Sequence, residues 1–271
     1  MNRRPVIPSI TETVSIRWES FSRKTPLSST LTELCKDTPS HAFLVNPASQ
    51  NTYLYLTRYI ADLLTKWLSR PEPAIQILDW GAGKGHVTHL LSELKFDVTS
   101  CDIAKTSGDS TFGQAAPIVD GTRIDVIPLR HDCLLPFDDD SFDAVVSMGV
   151  LEHVPREQES LLELHRVLRP GGLLFCFYLP QKFSWTQKLQ HLRGDRYHDR
   201  LYTKRKVIDL LADAGFDPID IWHRALFPKN TATYRDYRKA EALDQWLCAH
   251  TPLRHLATNI ECVARKNGQP R

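Results

Sequence analysis

The sequence predicts a doubly wound α/β fold built on a mainly parallel sheet. Three observations carry that expectation. From residue 74 onward, short apolar runs of strand length alternate with patterns of helical period. A glycine loop, "GAGKG" at 81–85, joins the first such run to a helical pattern. Acidic residues, Asp79 and Asp102, end the first two runs, at the sheet edge where ligands of such folds bind.

Residues 1–45 hold prolines, serines and threonines with little periodicity, the pattern of an extension that either wraps the core or is partly disordered. From Pro47 to Arg70, Tyr53, Leu56, Ile60, Leu63 and Trp67 recur at steps of three and four, so they share one helical face. Asn46 and Pro47 suit a helix start, and Pro71 and Pro73 end it.

Strands follow at 74–80, 96–102, 123–131 and 141–150, with a helix at 85–94 that turns Val87, Leu90, Leu91 and Leu94 inward. A helix runs through "QESLLELHRVL", and the turn "RPGG" at 169–172 leads into a fifth strand, "LLFCFYL". Residues 103–122 stand where a crossover helix belongs but are rich in glycine and polar residues, which predicts a loop or a weak helix. Residues 181–202 interrupt the sheet with aromatic and basic side chains. The next helix has Thr203 as its N-cap and Gly215 as its stop. A strand near 218–223, a helix over 232–249 and a last strand in "ATNIECVARK" complete a single domain, 46–271, behind the extension 1–45.

Composition bounds the function. With 42% hydrophobic and 24% charged residues, the 271-residue chain is that of an ordinary globular protein. Its formal net charge of +2 does not announce a nucleic-acid binder. No apolar run reaches a membrane span, and the basic start lacks the apolar core of a signal peptide, so the cytoplasm is the expected location. The six cysteines are widely and irregularly spaced, without a C-x-x-C pair, which argues against a zinc site or a disulfide framework.

The glycine loop narrows the ligand. A P-loop needs G-x-x-x-x-G-K-[ST], but Lys84 precedes the last glycine here and His86 follows it. A dinucleotide fingerprint needs G-x-G-x-x-G, and Gly81, Gly83 and Gly85 are one residue short of it. Asp102, ending the second strand beside the loop, is placed to accept from a ribose diol.

An acidic residue followed by G-x-G-x-G, with "HDCLLPFDDDSFDAVVSMGVLEHVP" and "LHRVLRPGG" downstream, resembles the class I S-adenosylmethionine (SAM)-dependent methyltransferases. The resemblance covers roughly residues 70–180. It implies a Rossmann-like seven-stranded sheet with an N-terminal helical extension and an inserted cap, and SAM as cofactor. It places Asp79 near the methionine amine, Asp102 and Ile103 at the ribose, and Asp132 and Cys133 at the adenine. Gly81, Ala82, Gly83 and Gly85 would then face the methionine end of the cofactor, and Met148 and Gly149 its methyl-donor end. The other reading of Asp132 is a turn or cap carboxylate.

SAM is already activated, so the protein supplies proximity, alignment and removal of the acceptor's proton. His153, just beyond the fourth strand, is the candidate general base; the alternative is that it only anchors its loop. Some ubiquinone-pathway O-methyltransferases hold a metal with two glutamates and a histidine in this segment. Here Glu152 and His153 are present, but Gly149 stands where the first glutamate would be, so no metal is expected. The fourth strand ends in "SMGV" rather than N-P-P-Y, and neither a Pro-Cys nucleophile nor a double-glutamate loop is present. Those departures disfavour DNA, protein-glutamine and arginine acceptors and leave a small molecule, with oxygen the expected acceptor atom.

The segment 181–206 carries Phe183, Trp185, Tyr197 and Tyr202 among eight basic and two acidic residues. It reads as an acceptor-side cap, with Trp185, Tyr197, His198 and Tyr202 as substrate contacts, or as a solvated charged face over core aromatics. A cap of this kind suits an aromatic, lipid-like or anionic acceptor, or peripheral contact with an anionic membrane. The rival functions are an RNA or protein methyltransferase and a SAM-binding scaffold without catalysis.

Overall fold

The computed structural model describes residues 10–22, 46–68, 71–103, 124–194, 200–228 and 236–267. The expected loop at 103–122 therefore lies, apart from Ile103, outside the described residues, as do Tyr197 and His198.

Helices α1 (Ile10–Ser22) and α2 (Pro47–Leu68) precede β1 (Gln76–Trp80), α3 (His86–Glu93), β2 (Asp97–Ile103), β3 (Val126–Leu129) and β4 (Phe142–Met148). Then come α4 (Glu157–Val167), β5 (Leu168–Pro180), α5 (Trp185–Leu192), α6 (Lys204–Asp213), β6 (Phe216–Arg224), α7 (Tyr237–His250) and β7 (Asn259–Lys266). The seven strands form one sheet in the order β3-β2-β1-β4-β5-β7-β6. Only β7 runs antiparallel to its neighbours. The order reverses between β1 and β4, which puts the ligand crevice at the carboxyl ends of those two strands.

The central strands are buried on both faces because helices cover both. On one side α1, α2 and α3 bury Ile16, Leu56, Tyr59, Ile60, Leu63 and Trp67 against Phe175, Phe177 and Val263. On the other, α4 and α6 bury Leu161, Leu164, Val207 and Leu211 against Val145, Leu174 and Cys262. Each fully buried Leu or Ile contributes about 1.5–3 kcal/mol, so these two layers supply most of the drive to fold. The face expected of α2 is the buried one, Tyr53 being only partly covered.

Local signals act as expected at α6. Thr203 Oγ1 accepts from Lys206 N, and Gly215 takes φ +82° just past the helix end. One expectation needs correction. The "RPGG" stretch is no free turn: residues 169–172 lie within β5 as an irregularity, where the register jumps from Phe142↔Leu168 to Ala144↔Leu173. The extension 1–45 holds a regular helix, α1, which docks on the core through Arg17 to Asp220 at 3.1 Å and Ser20 Oγ to Asp62 Oδ2 at 2.7 Å.

Candidate functional site

Asp79 lies next to the end of strand β1, 2% exposed, and its Oδ2 accepts from Thr88 Oγ1 at 2.6 Å. The Thr88 hydroxyl lies 2.7 Å from Ser100 Oγ, so the carboxyl heads a buried chain linking β1, α3 and β2. Burial pushes the Asp79 carboxyl up to about 6; the charge of Asp102 adds to the shift and the Thr88 bond opposes it.

The loop leaves β1 by bonding to the neighbouring strand. Gly81 N and Ala82 N both donate to Cys101 O, at 2.9 and 3.1 Å. Gly81 is fixed by sterics: its φ is +78°, and a Cβ there would lie 2.3 Å from Val150 Cγ2. Gly83 differs, since a Cβ there would meet nothing nearer than Asp102 Oδ2 at 3.9 Å, so this side of the loop lies open to a ligand. Gly85 begins α3.

Asp102 stands across from the open glycine. Its Oδ2 accepts from Gly83 N at 2.6 Å and its Oδ1 from Ile103 N at 2.7 Å. Burial raises its pKa, and these two backbone bonds oppose the rise. Ile103 follows with its side chain 39% exposed, an apolar surface at the mouth of β2. Just past the end of β3, Asp132 is buried, accepts from Ser160 Oγ at 3.3 Å and lies 3.8 Å from Arg156 Nη2. Asp132 thus ties its loop to α4. Beside it, Cys133 Sγ donates to Glu159 Oε2 at 3.6 Å.

At the end of β4, Met148 packs against the core and Gly149 N donates to Phe177 O at 2.9 Å. In the turn that follows, the carboxyl that points inward is Glu152, 4% exposed, while His153 is exposed. Glu152 Oε1 lies 3.6 Å from where a Cβ on Gly149 would stand, and 3.8 Å from His153 Nε2. Its Oε2 has no hydrogen-bond partner among the described residues. Burial pushes this carboxyl up to about 8, with the charge of Glu261 adding and Arg200 opposing. Among the described residues, no three His, Cys, Asp or Glu side chains gather as a metal site.

A second group of residues borders Gly149 that no motif announced. Tyr178 interrupts the pairing of β5 with β7, takes φ +67°, and donates its N–H to Glu261 Oε2 at 2.6 Å. Its Cβ lies 3.8 Å from the Cβ position of Gly149. Tyr53 of α2 packs against the Tyr178 ring at 5.5 Å and against His86 at 4.5 Å. A non-glycine residue at positive φ inside a strand marks a backbone held by its surroundings.

The cap residues divide. Trp185 anchors α5 by donating Nε1 to Leu226 O at 2.7 Å, and remains 37% exposed. Tyr202 corrects the expectation of a substrate contact: it is fully buried in the α4–α6 layer, donating its hydroxyl to Glu157 Oε2 at 2.8 Å.

A family model described as a methyltransferase domain matches residues 78–176. A ubiquinone biosynthesis O-methyltransferase of Roseobacter denitrificans is 30% identical over 179 residues, covering 61% of this chain and 70% of that protein. Among solved structures, one described as a putative sarcosine dimethylglycine methyltransferase from Galdieria sulphuraria aligns with a TM-score of 0.54 at 15% identity, over 90% of this chain and all of that one. The [4+2]-cyclase SpnF aligns at 0.51 and 17% identity, over 98% of this chain and all of that one, which is likeness of fold alone.

Proposed function

The chain belongs to the class I SAM-dependent methyltransferases, and from that premise we propose that it methylates an oxygen of a small-molecule acceptor. The kinship with a named O-methyltransferase carries this reading. Bound SAM supplies a methyl group already activated on a sulfonium.

The residues of the crevice fit that cofactor. The open face at Gly83 and the carboxylate of Asp102 suit a ribose, the buried Asp79 carboxyl suits an ammonium, and the exposed Ile103 offers a flat apolar contact. Asp132, Cys133 and Met148 complete the proposed contacts. The chain's own part in the reaction is to align the acceptor beside Gly149, exclude water and take up its proton. His153 is the proposed base, with the Glu152 carboxyl alongside to orient the imidazole.

Around α5 the exposed Phe183, Trp185, Leu189 and Leu192 lie among the exposed Lys182, Lys188 and Arg193. This mixture supports an acceptor approached from an anionic membrane surface. No described helix is long and apolar enough to cross a membrane.

The test is mass spectrometry of small molecules after the protein meets cell extract and SAM carrying a labelled methyl. A small molecule gaining that methyl on oxygen supports the proposal; label on RNA or protein alone overturns it. A second reading, a fold kept without methyl transfer, draws on the likeness to a [4+2]-cyclase. Calorimetric binding of SAM with no labelled product would favour it.

A further inference from the structure

Helix α7 reverses the usual arrangement of a surface helix, which buries an apolar stripe and wets its charges. Its two carboxyls face inward: Glu241 is 3% exposed and Asp244 fully buried. Each is engaged there. Glu241 accepts from Asn51 Nδ2 and Thr52 Oγ1 of α2, and Asp244 Oδ1 accepts from Leu226 N and Phe227 N at 2.6 and 3.1 Å, just past β6. The outward face is apolar instead. Leu243 and Trp246, one turn apart, are 50% and 51% exposed, with Ala242 and Ala249 exposed around them.

Exposed apolar residues continue past the helix. Thr251 ends α7, its N–H bonding to Leu247 O at 3.0 Å, and its Oγ1 accepts from Leu253 N at 3.2 Å to start a short 3-10 turn, Pro252–Leu256. Leu253 and Leu256, which a 3-10 turn stacks one above the other, are 42% and 40% exposed. This turn abuts the cap. Gln181 Nε2 donates to His255 O and Ala257 O at 2.8 and 2.9 Å, and Thr186 of α5 lies 2.8 Å from Thr258, Oγ1 to Oγ1. The turn and α5, each with exposed leucines, are thus tied side by side at the carboxyl edge, where β5 ends and β7 begins.

Charge decides what covers this face. Between Tyr237 and Thr258 no exposed residue is acidic, while Arg238, Lys239, His250 and His255 are exposed. Asp236, the N-cap of α7, lies 3.6 Å from Lys239 Nζ, an exposed pair of little strength. Residues 185–193 add Lys188 and Arg193 and no carboxylate. A second copy meeting the same patch would bring cations only to cations. An anionic bilayer supplies the missing sign together with an apolar phase.

We propose that the outward face of α7 and the turn after it dock on an anionic membrane surface, with Leu243, Trp246, Leu253 and Leu256 entering the lipid and Arg238 and Lys239 meeting its phosphates. The docking is independent of methyl transfer. That it brings the crevice to an acceptor held in the bilayer rests on the proposed function, and it extends to a second element the surface there assigned to α5.

The test is co-sedimentation of the whole protein with vesicles of phosphatidylcholine alone and of equal parts phosphatidylcholine and phosphatidylglycerol. The protein should bind the mixed vesicles and not the neutral ones, and added salt should weaken the binding. Leu243→Ser with Trp246→Ser, both at exposed positions, should weaken it roughly tenfold or more with thermal melting unchanged. Leu253→Ser with Leu256→Ser should do the same, and carries the test if the α7 pair does not fold. No binding to either vesicle, equal binding to both, or binding indifferent to both variants would overturn the proposal. So would sedimentation as a dimer that the α7 variant splits, since a second copy would then cover the face. Labelled-methyl transfer is read separately on the same preparations: its absence in the wild type would strike the proposed function, with the vesicles still deciding the docking.

Discussion

Glu152 and His153 are consecutive and their polar tips meet, Oε1 and Nε2 standing 3.8 Å apart, yet the carboxyl is buried beside Gly149 and the imidazole is exposed. The turn after β4 therefore presents a charge-averse group to the interior and a polar one to the crevice mouth.

The first consequence is a dependence of stability on pH. The Glu152 carboxyl is raised from 4.5 to about 8 on folding, so between those values the folded chain holds a proton that the unfolded chain has released. Its contribution is fully present below 4.5 and lost as pH rises to about 8, by up to roughly 1.4 kcal/mol per pH unit. Glu152→Gln should flatten that part of the profile in denaturant melts from pH 5 to 8.5. An unchanged slope would place the carboxyl in water.

Turnover should part from cofactor affinity at His153. His153→Ala should lower methyl transfer by roughly a hundredfold, the usual scale of general-base loss, while SAM affinity moves little. Equal loss of both would point to loop anchoring instead. Labelled-methyl transfer and calorimetry on the same preparation separate the two.

Asp102→Ala should weaken SAM binding by about 1.5–3 kcal/mol, since a charged hydrogen-bond acceptor is removed. The fold should survive, because the group is partly exposed and its described bonds are to the backbone of Gly83 and Ile103. Unaltered calorimetric affinity would move the ribose elsewhere.

The loop glycines should behave differently. Gly81→Ala meets Val150 and a positive φ together, so it should cost about 1–3 kcal/mol of stability in thermal melts. Gly83→Ala meets a positive φ, +53°, but open space, so it should cost less stability than Gly81→Ala and tax cofactor affinity more. The reverse ranking would mean that the open side of the loop had been misassigned.

The central sheet and the loop were legible in the sequence because their signals are local: apolar runs, three glycines, Thr203 as a cap. The bounds of α1 were not, because its buried positions Thr13, Ile16 and Ser20 are largely polar and hide the apolar period; only the resemblance implied a helical extension. Tyr202 carried the same composition signal as the exposed aromatics around it, and burial alone tells them apart. Tyr178, Arg224 and Glu261 lie on three strands, and it is the antiparallel insertion of β7 between β5 and β6 that gathers them. No spacing along the chain encodes that meeting, and in the sequence Glu152 stands out only as one of three members of a metal set that Gly149 leaves incomplete.

The seat of α1 has a consequence for the order of events at the ribosome. Its partner in the sheet, Asp220 on β6, follows β1 to β5 in the chain, so Arg17 has no partner there until β6 has been synthesised. Arg17 must wait, and α1 closes onto the sheet as a late clasp.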